Sequence, residues 1–466
     1  MITDRRSPIA GPAGVALLTL LLAPFAFGAV GSTAWASLSW AWILLGGWSL
    51  ARARSSPDRD STALTGLTPL FLAVHALLAI QLIPLPPSAL RVLSPGSYAA
   101  RYIPPMGVET WAPLTASPTG TGQAWLFFAG VHGLAITLFG GPAASRSRRM
   151  NQLFAGMAGV GAILAVEGLV QAASAHPYWL YGIFPVPGAG SQERGIFGPY
   201  YNRDHYSNLI AIAASVAAGL LAKRIPRDGA RTALSMVNSP EFPGTLALIA
   251  SLVLMLVASA ASGSRGGLAA IGVGVLIGLS TPFRARPRLA LGSGVLLIIV
   301  LFGTGVPSAI ERMGDVDFET SRLMVWRDTF RLLEFFPIFG CGIGAFAPAY
   351  WPYQRVGRFE YWPHAHNEYL QWILEGGLVG IILALYWLRV AWRVAPQVAR
   401  NQENRPALAG LAAAMVHAVV ECSLRIPANA AWAAMLLVCV LAGQSRNASA
   451  PPPSPRPDPL PEPRRL

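Results

Sequence analysis

The chain has 466 residues, of which 53% are hydrophobic and 12% charged. A soluble domain carries about a quarter charged residues, so this composition excludes an ordinary water-soluble globule. The net charge of +13 comes almost entirely from arginines in short breaks between apolar runs (Lys223 is the single lysine). That pattern is a topological signal and argues against nucleic-acid binding.

In chain order, twelve apolar runs read as membrane-spanning helices: roughly 12–31, 34–51, 63–84, 122–141, 152–174, 205–222, 243–262, 267–281, 289–306, 369–388, 407–422 and 428–443. Runs of about 18–22 residues match a hydrocarbon core of about 30 Å when helical. None shows the strict alternation over about ten residues that a membrane β-barrel requires. The expected fold is therefore all-α: a polytopic membrane helical bundle of about twelve transmembrane helices. Residues 1–446 form one transmembrane domain, and the Pro-rich segment 447–466 is expected to be a disordered cytoplasmic tail. Ala34-Trp35-Ala36 resembles a signal cleavage site, but another apolar run follows at once, so the first run reads as a span.

Assigning alternate breaks to alternate sides puts about 23 of the 35 basic residues on one face. By the positive-inside rule that face, with both termini, is cytoplasmic. The opposite face carries the long loops, about 85–121, 175–204 and 306–368, and a short one near Ser423–Ala428. In the largest loop, Leu323, Trp326, Phe330 and Leu333 recur at helical spacing, with Arg327 and Arg331 elsewhere on the helix. That pattern fits an amphipathic helix on the outer membrane surface; a helix packed inside a loop domain fits as well. Of the three cysteines, Cys439 lies in an apolar run, and a Cys341–Cys422 bridge on the outer face remains open.

Ionisable groups at a bilayer are costly and usually functional. Four separate segments bring them to the outer ends of spans. The first is Asn202-Arg203-Asp204-His205-Tyr206. The second is Ser262-Gly263-Ser264-Arg265-Gly266, a tight turn whose small residues let a ligand approach the backbone. The third is Ser321-Arg322 with Trp326. The fourth runs from His364 to Gly380. Guanidinium groups pair bidentately with phosphate. Asn367 suits an N-cap for the tenth span, and the positive helix end beyond it favours both a neutral His366 and a bound anion. Gly376 and Gly380 are spaced for close packing on a neighbouring helix. Each residue also has a plainer reading: Arg203 and Arg265 as headgroup anchors, Arg322 paired with Glu319, His364 bonded to a carbonyl, Glu375 as a structural partner, and Glu167 with Gln171 as helix–helix contacts. A zinc site on His364 and His366 lacks a supporting Cys/His pattern, so no metal or cofactor is expected.

His366-Asn367, nine residues, then Gly377-Leu378-Val379-Gly380 resembles the H-N-x9-G-x-x-G signature of the bacterial O-antigen ligase and polymerase superfamily. Ser264-Arg265-Gly266 resembles its S-R-G turn. Arg322 with Trp326 resembles its R-x-x-x-W element in the large periplasmic loop. Asn202–Tyr206 resembles an N-R-N-H-F/Y element of one branch, with Asp204 where that branch often has Asn. The resemblance covers roughly residues 150–443. It implies a metal-independent, inverting, membrane-embedded glycosyltransferase of the bacterial inner membrane with a periplasmic active face. The donor would be glycan on undecaprenyl pyrophosphate, and the acceptor lipid A–core or a growing glycan. By that analogy His366 is the catalytic base, while Arg265 and Arg322, with Arg203, hold the pyrophosphate; His364, Asn367, His205 and Trp326 support them. Transfer to protein hydroxyls, or a non-enzymatic polysaccharide or lipid transporter, are the alternatives.

Overall fold

The computed structural model describes residues 11–54, 67–101, 110–177, 179–185, 195–225, 237–280, 316–355 and 361–442. The helices, in chain order, are α1 (Pro12–Leu22), α2 (Ser32–Arg54), α3 (Thr68–Leu82), α4 (Pro87–Leu93), α5 (Pro95–Arg101), α6 (Pro118–Phe139), α7 (Ala143–Ala172), α8 (Arg203–Arg224), α9 (Phe242–Ser262), α10 (Arg265–Gly278), α11 (Val316–Leu332), α12 (Phe346–Tyr350), α13 (Glu368–Arg400), α14 (Arg405–His417) and α15 (Pro427–Ala442). Two dipeptides, β1 (Pro84–Leu85) and β2 (Ala112–Pro113), pair antiparallel, and isolated bridges join Leu180 to Phe184 and Phe197 to Tyr200; the other regular elements described are helices. Proline stands in the first turn of α1, α6, α9 and α14. Its missing N–H would have no intrahelical partner there, and its φ suits the helix.

Among the described residues, five helical stretches are long and apolar enough to cross a membrane: Pro118–Phe139, Ser145–Ala172, Arg203–Arg224, Phe242–Ser262 and Glu368–Arg393. Four apolar stretches are shorter, Pro12–Phe25, Thr68–Leu82, Arg265–Gly278 and Pro427–Ala442. The twelve crossings expected from hydropathy are thus only partly reproduced. The ninth, 289–306, lies outside the described residues, as does the tail 447–466. Hydropathy also misplaced ends. The helix matching the run 152–174 begins at Ala143, and the helix in 407–422 stops at His417.

Helix α8 is the axis of the bundle. It packs against α7, α9, α10, α14 and α15, and almost every residue from Tyr206 to Ala222 is buried. Its sequence is rich in Ala, Ser and Gly, which lets backbones approach closely where lipid offers no hydrophobic drive between helices. A Cβ on Gly267 of α10 would fall 1.8 Å from the Ser207 hydroxyl, and one on Gly274 would fall 1.9 Å from that of Ser215. Ser207 and Ser259 share a 2.5 Å hydrogen bond across α8 and α9. This packing seats the first turns of α8 and α10 side by side.

The residues of the large loop fold back on the start of α13. Val325, Leu332, Phe336, Cys341, Phe346, Tyr350, Trp362, Ala365 and Leu374 form a compact apolar cluster. In α11 the buried face is Val325, Asp328, Thr329 and Leu332, whereas Leu323 and Phe330 are each 60% exposed. Of the expected stripe, Leu323 and Phe330 are left open and Leu333 packs against the cluster. Cys341, Cys422 and Cys439 are buried free thiols, so no Cys341–Cys422 bridge exists.

Helix α13 is not continuous. At Gly377 the backbone turns to φ +58°, ψ −153°, a region open essentially to glycine alone. Segment 337–342 docks on the break: Cys341 N–H donates to the Leu374 carbonyl, and Leu378 and Val379 N–H donate to the carbonyls of Pro337 and Ile338. Gln81, fully buried at the end of α3, donates to the carbonyls of Phe339 and Glu375 and accepts from Ile343 N–H. The close approach occurs at Gly340 against Glu375 and Gly376, not along a Gly376/Gly380 ridge. A Cβ at Gly377 would lie 2.4 Å from Gly340 N. Gly377→Ala should destabilise the protein by at least about 1–3 kcal/mol from backbone strain alone, read as a lowered unfolding midpoint of the full chain in detergent.

Candidate functional site

The short first part of α13, between Asn367 and the break at Gly377, carries one wall of the site. Asn367 caps it, its Oδ1 accepting from Leu370 N–H at 2.9 Å. The preceding residues are clamped at Ala365. Its N–H donates to Gln371 Oε1 at 3.0 Å, and its carbonyl accepts from Trp326 Nε1 at 2.9 Å. Trp326 therefore ties α11 to this turn. His366 then adopts left-handed backbone (φ +52°) with its ring edge-on to Trp362 at 5.6 Å.

The other wall is the turn between α14 and α15, which sequence reasoning passed over. Glu368 N–H donates to the carbonyl of Ala418, docking the two walls together. Glu421, 2% exposed, is the hub. Its Oε1 lies 2.7 Å from His366 Nδ1 and accepts from Cys422 N–H at 3.0 Å. Its Oε2 accepts from Arg322 at 3.0 Å, and Arg322 also donates to the Val420 carbonyl at 3.1 Å. His205 Nε2 stands 3.9 Å from Oε1. His205, His366 and Arg322 keep 14%, 17% and 20% of their side-chain surface open. Two imidazoles and a guanidinium, each partly open, thus surround a carboxylate buried more deeply than they are.

Burial works against ionisation of Glu421, but the His366 hydrogen bond and the charges of His366, His205 and Arg322 outweigh it and hold the carboxyl below the usual range. An ionised carboxylate only accepts hydrogen bonds, so neutral His366 carries its proton on Nδ1. Its Nε2 lone pair is then available on the ring's far side. His364 differs. It is half-buried, its Nδ1 accepts from Gln371 Nε2 at 3.3 Å, and desolvation, aided by Arg425, pushes it down to about 3. It stays neutral and serves the framework.

A second ionic clasp lies beneath. Arg425 bonds Glu368 at 3.0 Å and Glu375 at 2.6 Å, and Gln371 links to Glu375 at 3.0 Å. Glu375 is thus a structural partner. Arg322 pairs with Glu421; the Glu319 side chain lies outside the described residues. Gln171 bonds the loop groups Gly198 N–H and the Trp179 carbonyl, not another helix.

Of the remaining expected residues, Arg265 is exposed at the start of α10, where Ser264 caps Gly267 N–H at 3.2 Å. The next residue abuts the Glu421-bearing turn: a Cβ on Gly266 would meet Val420 at 2.7 Å and His417 at 3.5 Å. Arg203 opens α8 beside the Asn202 cap, two residues before His205. The structure so brings His366, Arg322, His205 and the Ser264–Gly266 turn around one hub. It places Arg203 next to His205 in sequence without a described contact to that hub. Glu421 and Arg425 could have been noticed as charges at the mouth of an apolar run.

Residues 250–385 match the family model described as Wzy_C, O-antigen ligase. That match supports the chain's membership of the O-antigen ligase/polymerase superfamily. No curated protein matches it. The matched segment contains Arg265, Arg322 and His366; His205 and Glu421 come from outside it.

Proposed function

We propose that the protein transfers glycan from an undecaprenyl-pyrophosphate-linked donor to an acceptor hydroxyl at the outer face of the bacterial inner membrane, as an O-antigen ligase or polysaccharide polymerase. The observation that carries this reading is the 2.7 Å pairing of His366 Nδ1 with ionised Glu421, which presents Nε2 as a proton acceptor beside two arginine-bearing elements. His366 Nε2 takes the acceptor's hydroxyl proton as its oxygen attacks the anomeric carbon. The bond to the pyrophosphate oxygen breaks on the opposite face, and its electrons leave with the pyrophosphate, so configuration inverts. Glu421 stabilises the imidazolium that forms. Arg265, with Arg322 and Arg203, faces the leaving charge. This sequence of steps requires no metal.

A transporter reading would call for paired broken helices around a midplane site. Among the described residues α13 is the one long helix interrupted, and backbone 337–342 fills its break. Deletion of the gene followed by glycolipid gels tests the proposal. Full-length chains left on the carrier identify a ligase, and single repeat units a polymerase; unchanged glycolipids and glycoproteins would contradict transfer. Arg265→Lys keeps the charge but loses the bidentate fork. It should lower kcat/KM about 10–100-fold, the worth of one charge-assisted hydrogen bond, in a reconstituted transfer assay.

A further inference from the structure

Among the described residues, four non-glycine positions have left-handed backbone: Phe27, Ala29, Tyr181 and His366. One is the candidate base. Of the other three, Ala29 is buried, while Phe27 and Tyr181 belong to a single aromatic feature. The Phe27 ring lies 5.8 Å from Tyr181, 6.3 Å from Phe184 and 6.1 Å from Tyr201, and Tyr181 lies 6.3 Å from Phe184. The Tyr181 hydroxyl donates to the Phe25 carbonyl, locking the two loops together. Phe184 and Tyr201 are each 49% exposed. Left-handed backbone is unfavourable for an aromatic residue and persists only where the surroundings over-determine it. Here it holds the half-buried Phe27 and Tyr181 against the rings of Phe184 and Tyr201, whose surfaces stay open.

This platform is continuous with the site. Tyr201 directly precedes Asn202, the cap of α8, and His205 follows in the first turn. Four residues span at most about 14 Å. The neighbouring Tyr200 donates to Asn429 Oδ1 at 3.0 Å, and Asn429 donates to the His205 carbonyl at 2.8 Å. The loop bearing the platform and the turn bearing His205 are therefore braced by one asparagine.

We propose that Phe27, Tyr181, Phe184 and Tyr201 form a glycan-binding subsite, on which sugar rings remote from the reacting one stack. The inference rests on the glycan-transfer reading for its ligand. The electron-rich face of an aromatic ring attracts the weakly positive C–H groups of a pyranose face. An aromatic belt anchoring the protein in headgroups needs rings at the right depth but no fixed arrangement among them. Strained backbone at two of the rings fits a rigid ligand better than a fluid one.

Phe184→Ala and Tyr201→Ala remove exposed side chains and should leave the fold intact. With the full-length protein in nanodiscs and carrier-linked donors of short and long glycan, each variant should raise KM for the long donor about three- to tenfold, with kcat and the short donor unchanged. Equal effects on both donors, or none, would overturn the subsite. A variant that instead seats more shallowly, read by brominated-lipid quenching with unchanged KM, would make the platform a membrane anchor and also overturn it. Saturation-transfer NMR with soluble oligosaccharides, released by mild acid from the host's own surface polysaccharide, separates the two readings. Binding that is lost in the Phe184→Ala, Tyr201→Ala double variant and kept in His366→Ala supports the subsite even if wild-type protein transfers nothing. Binding absent from the wild type overturns it even if transfer is observed.

Discussion

His366→Ala is expected to lower kcat for the proposed glycan transfer by about 10²–10⁴-fold, the usual contribution of a positioned general base, while the protein still inserts and folds. The fold survives because Glu421 keeps its other partners, Arg322 at 3.0 Å and the Cys422 N–H at 3.0 Å. Ala365, the anchor of the turn, is held by Gln371 and Trp326 and does not depend on the imidazole. A steady-state assay on reconstituted protein, with thermal unfolding of the same preparation, separates loss of chemistry from loss of structure. Full activity in this variant would remove His366 from the mechanism.

Glu421→Gln has the second large effect. The amide is nearly the same size, but it can present an N–H to His366 where the carboxylate could only accept. The imidazole would then carry its proton on Nε2, facing the acceptor hydroxyl with a donor instead of a lone pair. The wrong tautomer, together with loss of the charge that stabilises the imidazolium, should lower kcat by about 10⁴-fold, as in a triad stripped of its carboxylate. Arg322 would also lose its anionic partner while keeping its bond to the Val420 carbonyl. Breaking such a pair from one side costs about 3–5 kcal/mol, so this variant, unlike His366→Ala, should unfold markedly earlier. The pH dependence has a definite sign. Glu421 is held below the ordinary carboxylate range in the fold, so its stabilisation is complete above the unfolded value and is lost as pH falls through the folded one. Wild-type protein should lose this increment only in acid, and Glu421→Gln should show no such loss in the same window. An acid stability profile identical in the two proteins would count against the network.

What the sequence disclosed was rare chemistry at the mouths of apolar runs. His366 beside a good N-cap, Arg265 in a turn of small residues and Arg322 ahead of Trp326 are visible because neither lipid nor a packed core readily accepts them. What it concealed were features that need a partner to be seen. Hydropathy runs through Glu421 into Cys422, so the acid looks like the tail of a span; the helix in fact ends at His417, and the following turn aims the carboxylate at two other segments. Gly377 sits among apolar residues that read as unbroken helix, and only the docking of 337–342 through Gly340 makes its backbone reversal necessary. Spacing alone likewise could not choose between two faces of α11. Leu323 and Phe330 fit an apolar stripe, but the loop cluster takes Val325 and Leu332 instead.

The central claim is that His366 and Glu421, 55 positions apart, act as one catalytic unit, and a double-mutant cycle on transfer measures it. Residues that work together are grossly non-additive. In purified, reconstituted protein the His366→Ala, Glu421→Gln double variant should therefore be no slower than His366→Ala alone. A double variant whose loss equals the product of the two single losses would show independent residues and contradict the shared site.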